Sequence, residues 1–180
     1  MAIKTFTTGE VLTASDTNTY LANSGLVYVT SATVGTGVSS VTVSNCFSST
    51  YDNYKIVLSG GTATNPVALS MTLTGSSASY YGILTYVSYA TGATTNVTTN
   101  NGSAWAYVGE GSSTMLWVDM DIMNPYLSKY TQFGGYYTGS VAGMVGGYHG
   151  VASSYTGFSI ASGGNTMTGG TVTVYGYRKA

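Results

Sequence analysis

Few residues in this chain have side chains that could do chemistry, so they can be weighed singly. Asp119 and Asp121 stand two apart in Thr114–Met123, and in an extended strand their Cα atoms lie about 6.5–7 Å apart on one face. A carboxylate pair at that distance suits glycoside hydrolysis, or a Ca²⁺ ion completed by backbone carbonyls. No Asp-x-Asp-x-Asp-Gly loop follows, and Glu110 is the only other acid nearby. Solvated or interfacial carboxylates are therefore the favoured reading, and no metal site is expected. His149 is the single histidine and Cys46 the single cysteine. A Ser-His-Asp triad or a Cys46–His149 dyad is formally open, but there is no Gly-x-Ser-x-Gly nucleophile elbow. His149 reads as a surface or loop residue and Cys46 as a small buried hydrophobe. Gly134-Gly135 and Gly163-Gly164 lack the strand–loop–helix setting of a phosphate cradle and read as turns and bulges. No catalytic residue and no cofactor is assigned.

The tyrosines are the more suggestive feature. The chain has 17, against 4 Phe and 2 Trp. Tyr pairs an apolar ring with a polar hydroxyl, which suits protein interfaces and equally the stacking of sugars. Tyr136 and Tyr137 belong to this set. Trp117, Asp119 and Asp121 share one face of the 114–123 strand with Met115 and Met123, while Leu116, Val118, Met120 and Ile122 form the apolar face. A face mixing Trp, Met and Asp is not a plain solvent face. Trp117, Asp119, Asp121, Tyr136 and Tyr137 are accordingly expected to form a subunit interface or a ligand face.

Strands must position these residues. Val67–Thr74, Asn53–Leu58 and Thr171–Tyr177 alternate apolar with small or polar residues, the period of half-buried antiparallel strand. Further strands are expected near 26–34, 39–43, 80–90, 103–109, 113–123, 132–142 and 154–161, ten in all. Thr91–Asn101 is low in complexity and reads as an exposed loop. Before Gly25 the pattern changes. Thr13 and Asp16 have capping-box-like spacing, and Gly25 offers a stop, so a short helix is expected near 14–22. The fold class is all-β: a jelly-roll-like antiparallel β-sandwich over 25–180, preceded by an arm with a short helix over 1–24.

Composition narrows the function. Only 6% of the 180 residues are charged and the formal net charge is −1, where about a quarter charged is usual. With 23 Ser, 29 Thr and 25 Gly, the surface is hydroxyl-rich and neutral. Nucleic-acid binding through phosphates and polybasic attachment to membranes are excluded by the scarcity of Lys and Arg. No apolar run approaches the roughly 18 residues that span a bilayer, and no secretory signal is visible near Met1, so use without export from a cytoplasm is expected.

The stretch Ile3-Lys4-Thr5-Phe6-Thr7-Thr8-Gly9-Glu10-Val11-Leu12-Thr13-Ala14-Ser15-Asp16-Thr17-Asn18-Thr19-Tyr20-Leu21 resembles the opening of many tailed-bacteriophage virion proteins, commonly labelled minor tail or tail fibre proteins. Thr17 departs from that leader, where an aliphatic residue is frequent. Tyr51–Leu58 and Thr171–Arg178 also look like the first and last strands of phage β-sandwich modules. The resemblance implies a non-enzymatic, homotrimeric virion component assembled in the host cytoplasm. It implies an arm whose Phe6, Val11, Leu12, Tyr20 and Leu21 anchor it to other virion proteins, and a sandwich that meets host-surface glycans. A capsid decoration protein is the alternative, and a polysaccharide depolymerase using Glu110, Asp119 or Asp121 a remote one.

Overall fold

A computed structural model of the chain describes residues 7–16 and 25–179. The arm contributes α1 (Ala14–Asp16), which buries nothing. Its start is a reciprocal cap, as the spacing predicts. Thr13 Oγ1 accepts from the Asp16 N–H at 3.1 Å, and the Asp16 carboxylate accepts from the Thr13 N–H at 3.1 Å. The remainder of the expected helix, with Tyr20 and Leu21, lies outside the described residues, as does Phe6 of the arm.

Twelve strands follow: β1 (Leu26–Thr33), β2 (Ser40–Val43), β3 (Asn53–Ala63), β4 (Val67–Leu73), β5 (Tyr80–Ser88), β6 (Thr94–Gly102), β7 (Trp105–Ser112), β8 (Met115–Met123), β9 (Thr131–Thr138), β10 (Val141–His149), β11 (Phe158–Ala161) and β12 (Met167–Tyr177). Every pairing is antiparallel. The larger layer runs β1-β12-β3-β8-β9-β10-β5-β6, and the smaller β2-β11-β4-β7. They join where the first half of β8 pairs with β7 and its second half with β9. The chain is thus an all-β antiparallel sandwich.

Period-two patterning determines which side chains fill it. Tyr54, Ile56 and Leu58 of β3, Leu69, Met71 and Leu73 of β4, and Val172 and Val174 of β12 are all buried. So is the Leu116/Val118/Met120/Ile122 face of β8. Phe47 closes one end between the layers, its ring 4.8 Å from Tyr54 and 5.7 Å from Phe158. Cys46 beside it is buried, as expected, and burial pushes its thiol up to about 12. Trp105 closes the other end, fully buried, 4.8 Å from Phe133 and 5.2 Å from Tyr80. A bulge in β7 permits this. Leu69 faces Gly109 while Met71 faces Trp105, and Tyr107 takes a positive φ of 62°. The extra residues let Trp105 and Val108 both point inward although they are three apart.

Three expectations about elements are corrected. Thr91–Asn101 is not a loop: residues 94–102 form β6, paired along β5. As an edge strand it buries almost nothing, so no apolar alternation marks it, while its threonines favour extended backbone. The single strand expected over 132–142 is two, β9 and β10, hinged at Gly139-Ser140. Gly134-Gly135 lies in mid-strand in β9 and not in a turn, whereas Gly163 and Gly164 do occupy a turn with positive φ. No helix among the described residues is long and apolar enough to cross a membrane.

Candidate functional site

The outward face of the larger layer gathers most of the residues singled out above. Alternation sends Tyr81 and Ile83 of β5, Met144, Gly146 and Tyr148 of β10, and Gln132, Gly134 and Tyr136 of β9 to this side. Asp119, Asp121 and Met123 follow on β8, Lys55 on β3, and Tyr175 and Tyr177 on β12. Tyr136 and Met144 are each 66% exposed. Three tyrosines form a row across the strands. Tyr148 stacks on Tyr81 with ring centroids 4.8 Å apart and planes 9° from parallel, and Tyr130 stacks on Tyr148 at 5.9 Å and 17°. Cross-strand pairing sets the first contact, since Tyr148 and Tyr81 are register partners. Recesses of about 470 and 460 Å³ flank the row, and a third of about 290 Å³ lies between Tyr136, Met144 and Gly134.

Asp119 and Asp121 share this face, as their spacing predicts, and β3 and β12 bring partners that the spacing does not reveal. Lys55 Nζ pairs with Asp119 Oδ1 and lies 3.8 Å from Asp121 Oδ1. Tyr177 donates its hydroxyl to Asp121 Oδ1 at 2.5 Å. That hydrogen bond, together with partial burial and the charges of both carboxylates, pushes the Tyr177 phenol up to about 12. The ammonium of Lys55 thus stands where a calcium ion would have to bind. Among the described residues, no group of three or more His, Cys, Asp or Glu is placed to hold a metal.

Tyr137 does not belong to the outward face. It follows Tyr136 in β9 and so points the other way, 4% exposed, edge-on to Tyr107 and Trp117 at 6.5 and 6.3 Å. Burial, and next the neighbouring Glu110 carboxylate, raise its phenol well above the usual range. Trp117 is partly buried beside it, across the β7–β8 ladder from Glu110. Glu110 is 3% exposed. Its carboxylate accepts from the Ser140 N–H at 3.1 and 3.2 Å and from Ser140 Oγ at 3.0 Å. Those bonds satisfy the buried charge and tie the β9–β10 turn to β7.

His149 is fully buried at the end of β10, correcting the surface or loop expectation. It lies under the turn between β4 and β5. Nε2 is 3.0 Å from the Ala78 carbonyl and 2.7 Å from Ser76 Oγ, while Nδ1 is 3.4 Å from the Val151 N–H and 3.1 Å from the Tyr155 hydroxyl. A carbonyl only accepts and an N–H only donates, so the network assigns the proton to Nε2. In that tautomer the ring donates to Ser76 and cannot take its proton, the reverse of what a nucleophilic serine needs. Cys46 lies apart, donating to the Val43 carbonyl at 3.6 Å.

In the arm, Val11 is 80% and Leu12 48% exposed. No protein-family model matches the chain, and neither a curated protein nor a solved structure is significantly similar to it.

The stacked row and the Lys55–Asp–Tyr177 network are what the linear sequence withholds. Tyr81, Tyr130 and Tyr148 stand far apart in the chain, and only strand order makes them neighbours. The usable signal is parity: Tyr81 and Tyr148 fall on the outward phase of β5 and β10, and Tyr130 immediately precedes β9.

Proposed function

We propose that this chain is a non-enzymatic exterior module of a tailed-bacteriophage virion, of the tail fibre or minor tail type, which attaches the particle to the host surface. The leader resemblance at residues 3–21 supports the virion assignment. The exposed, tyrosine-lined face of the larger layer is the observation that carries the attachment role. Tyr28, Tyr130, Tyr136, Tyr148 and Tyr177 are all more than a third exposed, and rings gathered on one outer face suit recognition more than stability. The acids that a depolymerase would need are engaged otherwise, Glu110 by Ser140 and Asp119 with Asp121 by Lys55 and Tyr177.

In this reading the arm, with Val11 and Leu12 exposed for contact, joins other virion proteins and the sandwich projects as a homotrimer. Deleting residues 1–24 leaves a folded sandwich that no longer enters particles, measured by circular dichroism and by mass spectrometry of purified virions. Normal incorporation of the truncated chain would overturn the anchor. Copy number in the same particles separates tail from head: a handful supports the tail role, hundreds a capsid decoration.

A further inference from the structure

We infer that Gly134 and Gly146 keep open a trench on the outward face of the larger layer that seats an uncharged polysaccharide strand, an inference that rests on the host-attachment reading. The two glycines are register partners in neighbouring strands, both at outward-facing positions in mid-sheet. Glycine weakens a strand interior unless something must approach the backbone closely. Elsewhere in these strands the fold itself is that something. A Cβ at Gly135 would lie 2.6 Å from the Asp119 carbonyl, one at Gly143 2.2 Å from the Thr85 carbonyl, and one at Gly147 2.1 Å from the Tyr81 carbonyl.

Gly134 and Gly146 differ. A Cβ at Gly134 would meet nothing nearer than 4.0 Å, and one at Gly146 nothing nearer than 3.4 Å. Neither has a positive φ. A Cβ fits at both positions, so the approach of neighbouring backbone does not require glycine there. What their absence provides is a bare stretch of sheet, with the Tyr81–Tyr148–Tyr130 row on one side and Tyr136 with Met144 on the other.

The chemistry of the walls selects the occupant. Ring faces and edges match the C–H faces of pyranose rings, while Thr98, Asn100 and Gln132 on the rim of the flanking recesses supply hydroxyl and amide partners. Those two recesses have no charged residue in their walls. The trench ends at Asp121, the register partner of Gly134, and its carboxylate and that of Asp119 lie against Lys55. An acidic polymer would meet the Asp119 and Asp121 carboxylates, whereas a neutral one brings no charge for them to oppose.

The test uses the full chain on immobilised bacterial surface polysaccharides, with neutral O-chains and acidic capsular polymers both represented. The wild type is retained by at least one neutral polymer. Gly146→Thr and Gly134→Thr fill the trench with strand-favouring side chains. They should keep or raise the melting temperature while weakening retention at least tenfold. Ser40→Thr, on the smaller layer, leaves retention unchanged. Tyr148→Ala removes the central ring without adding bulk and weakens retention likewise, which covers the case in which a threonine variant misfolds. Retention on no polymer, retention on acidic polymers alone, or full retention by a folded Gly146→Thr would each overturn the inference. So would self-association, seen by sedimentation, that Gly146→Thr abolishes, since a second copy would then be the occupant. Presence of the chain in purified particles tests the virion reading separately, so either can fail while the other stands.

Discussion

His149 shows how one side chain can look like chemistry and serve architecture. Both ring nitrogens are occupied: Nε2 by the turn at Ser76 and Ala78, Nδ1 by Val151 and Tyr155. The ring also stacks edge-on to Tyr80 at 4.6 Å. Replacing it with Ala strands these partners in a dry site and opens a cavity. The expected cost is about 2–4 kcal/mol, read as a lower midpoint in urea denaturation with an unchanged slope. A loss below about 0.5 kcal/mol would mean that water takes over the network. Nothing around His149 in sequence, Gly146-Gly147-Tyr148-His149-Gly150, announces burial. Glycine and polar neighbours read as a loop, and only the pairing of β10 on both edges, with β5 and β9, encloses the ring.

At the scale of the element, β7 is the strand that closes the sandwich. Trp105 fills the space between layers and donates its indole N–H to the Tyr148 carbonyl of β10 at 3.1 Å. Trp105→Ala should cost about 3–5 kcal/mol, measured by chemical denaturation, and it should loosen the β5 and β10 amides in hydrogen exchange more than those of β1 and β12. Uniform loosening would show that Trp105 is not a local tie between layers. The strands legible in advance were those that bury one face: β3, β4, β8 and β12 alternate visibly because half of each meets the core. Those missed or merged bury little or are interrupted by glycine. β6 sits at an edge, and β10, Val-Ala-Gly-Met-Val-Gly-Gly-Tyr-His, has three glycines where an alternating pattern would need side chains.

For the whole molecule, tyrosine replaces the usual surface charges, and its ionisation governs behaviour in alkali. The phenols of Tyr54, Tyr80, Tyr137 and Tyr155 are raised chiefly by burial, and that of Tyr177 chiefly by its hydrogen bond to Asp121. A folded pKa above the unfolded value of about 10 means that the unfolded chain releases these protons first. The corresponding stability is fully present below pH 10 and is lost as pH rises through each raised value, about 12 for Tyr177. The melting temperature should therefore fall steeply above pH 10. Tyr177→Phe should make that fall shallower without moving the neutral-pH value by much, because the phenol and its carboxylate partner are both partly exposed. An equally steep fall in the variant would dissociate Tyr177 from the effect.

Sequence alone determined the class of the molecule: a neutral, hydroxyl-rich, all-β sandwich whose buried faces can be read strand by strand, with a capped turn at Thr13–Asp16. It did so because alternation and capping are local, and each strand states its own inside and outside. Tertiary structure decided which outward faces are neighbours. Strand order set Lys55 and Tyr177 against Asp119 and Asp121, and Glu110 under Ser140. It also aligned Tyr81, Tyr148 and Tyr130 and placed Gly134 opposite Gly146. Those juxtapositions depend on hydrogen-bonded ladders between segments up to 122 residues apart, such as Tyr54 with Gly176, and no local pattern encodes which ladder forms.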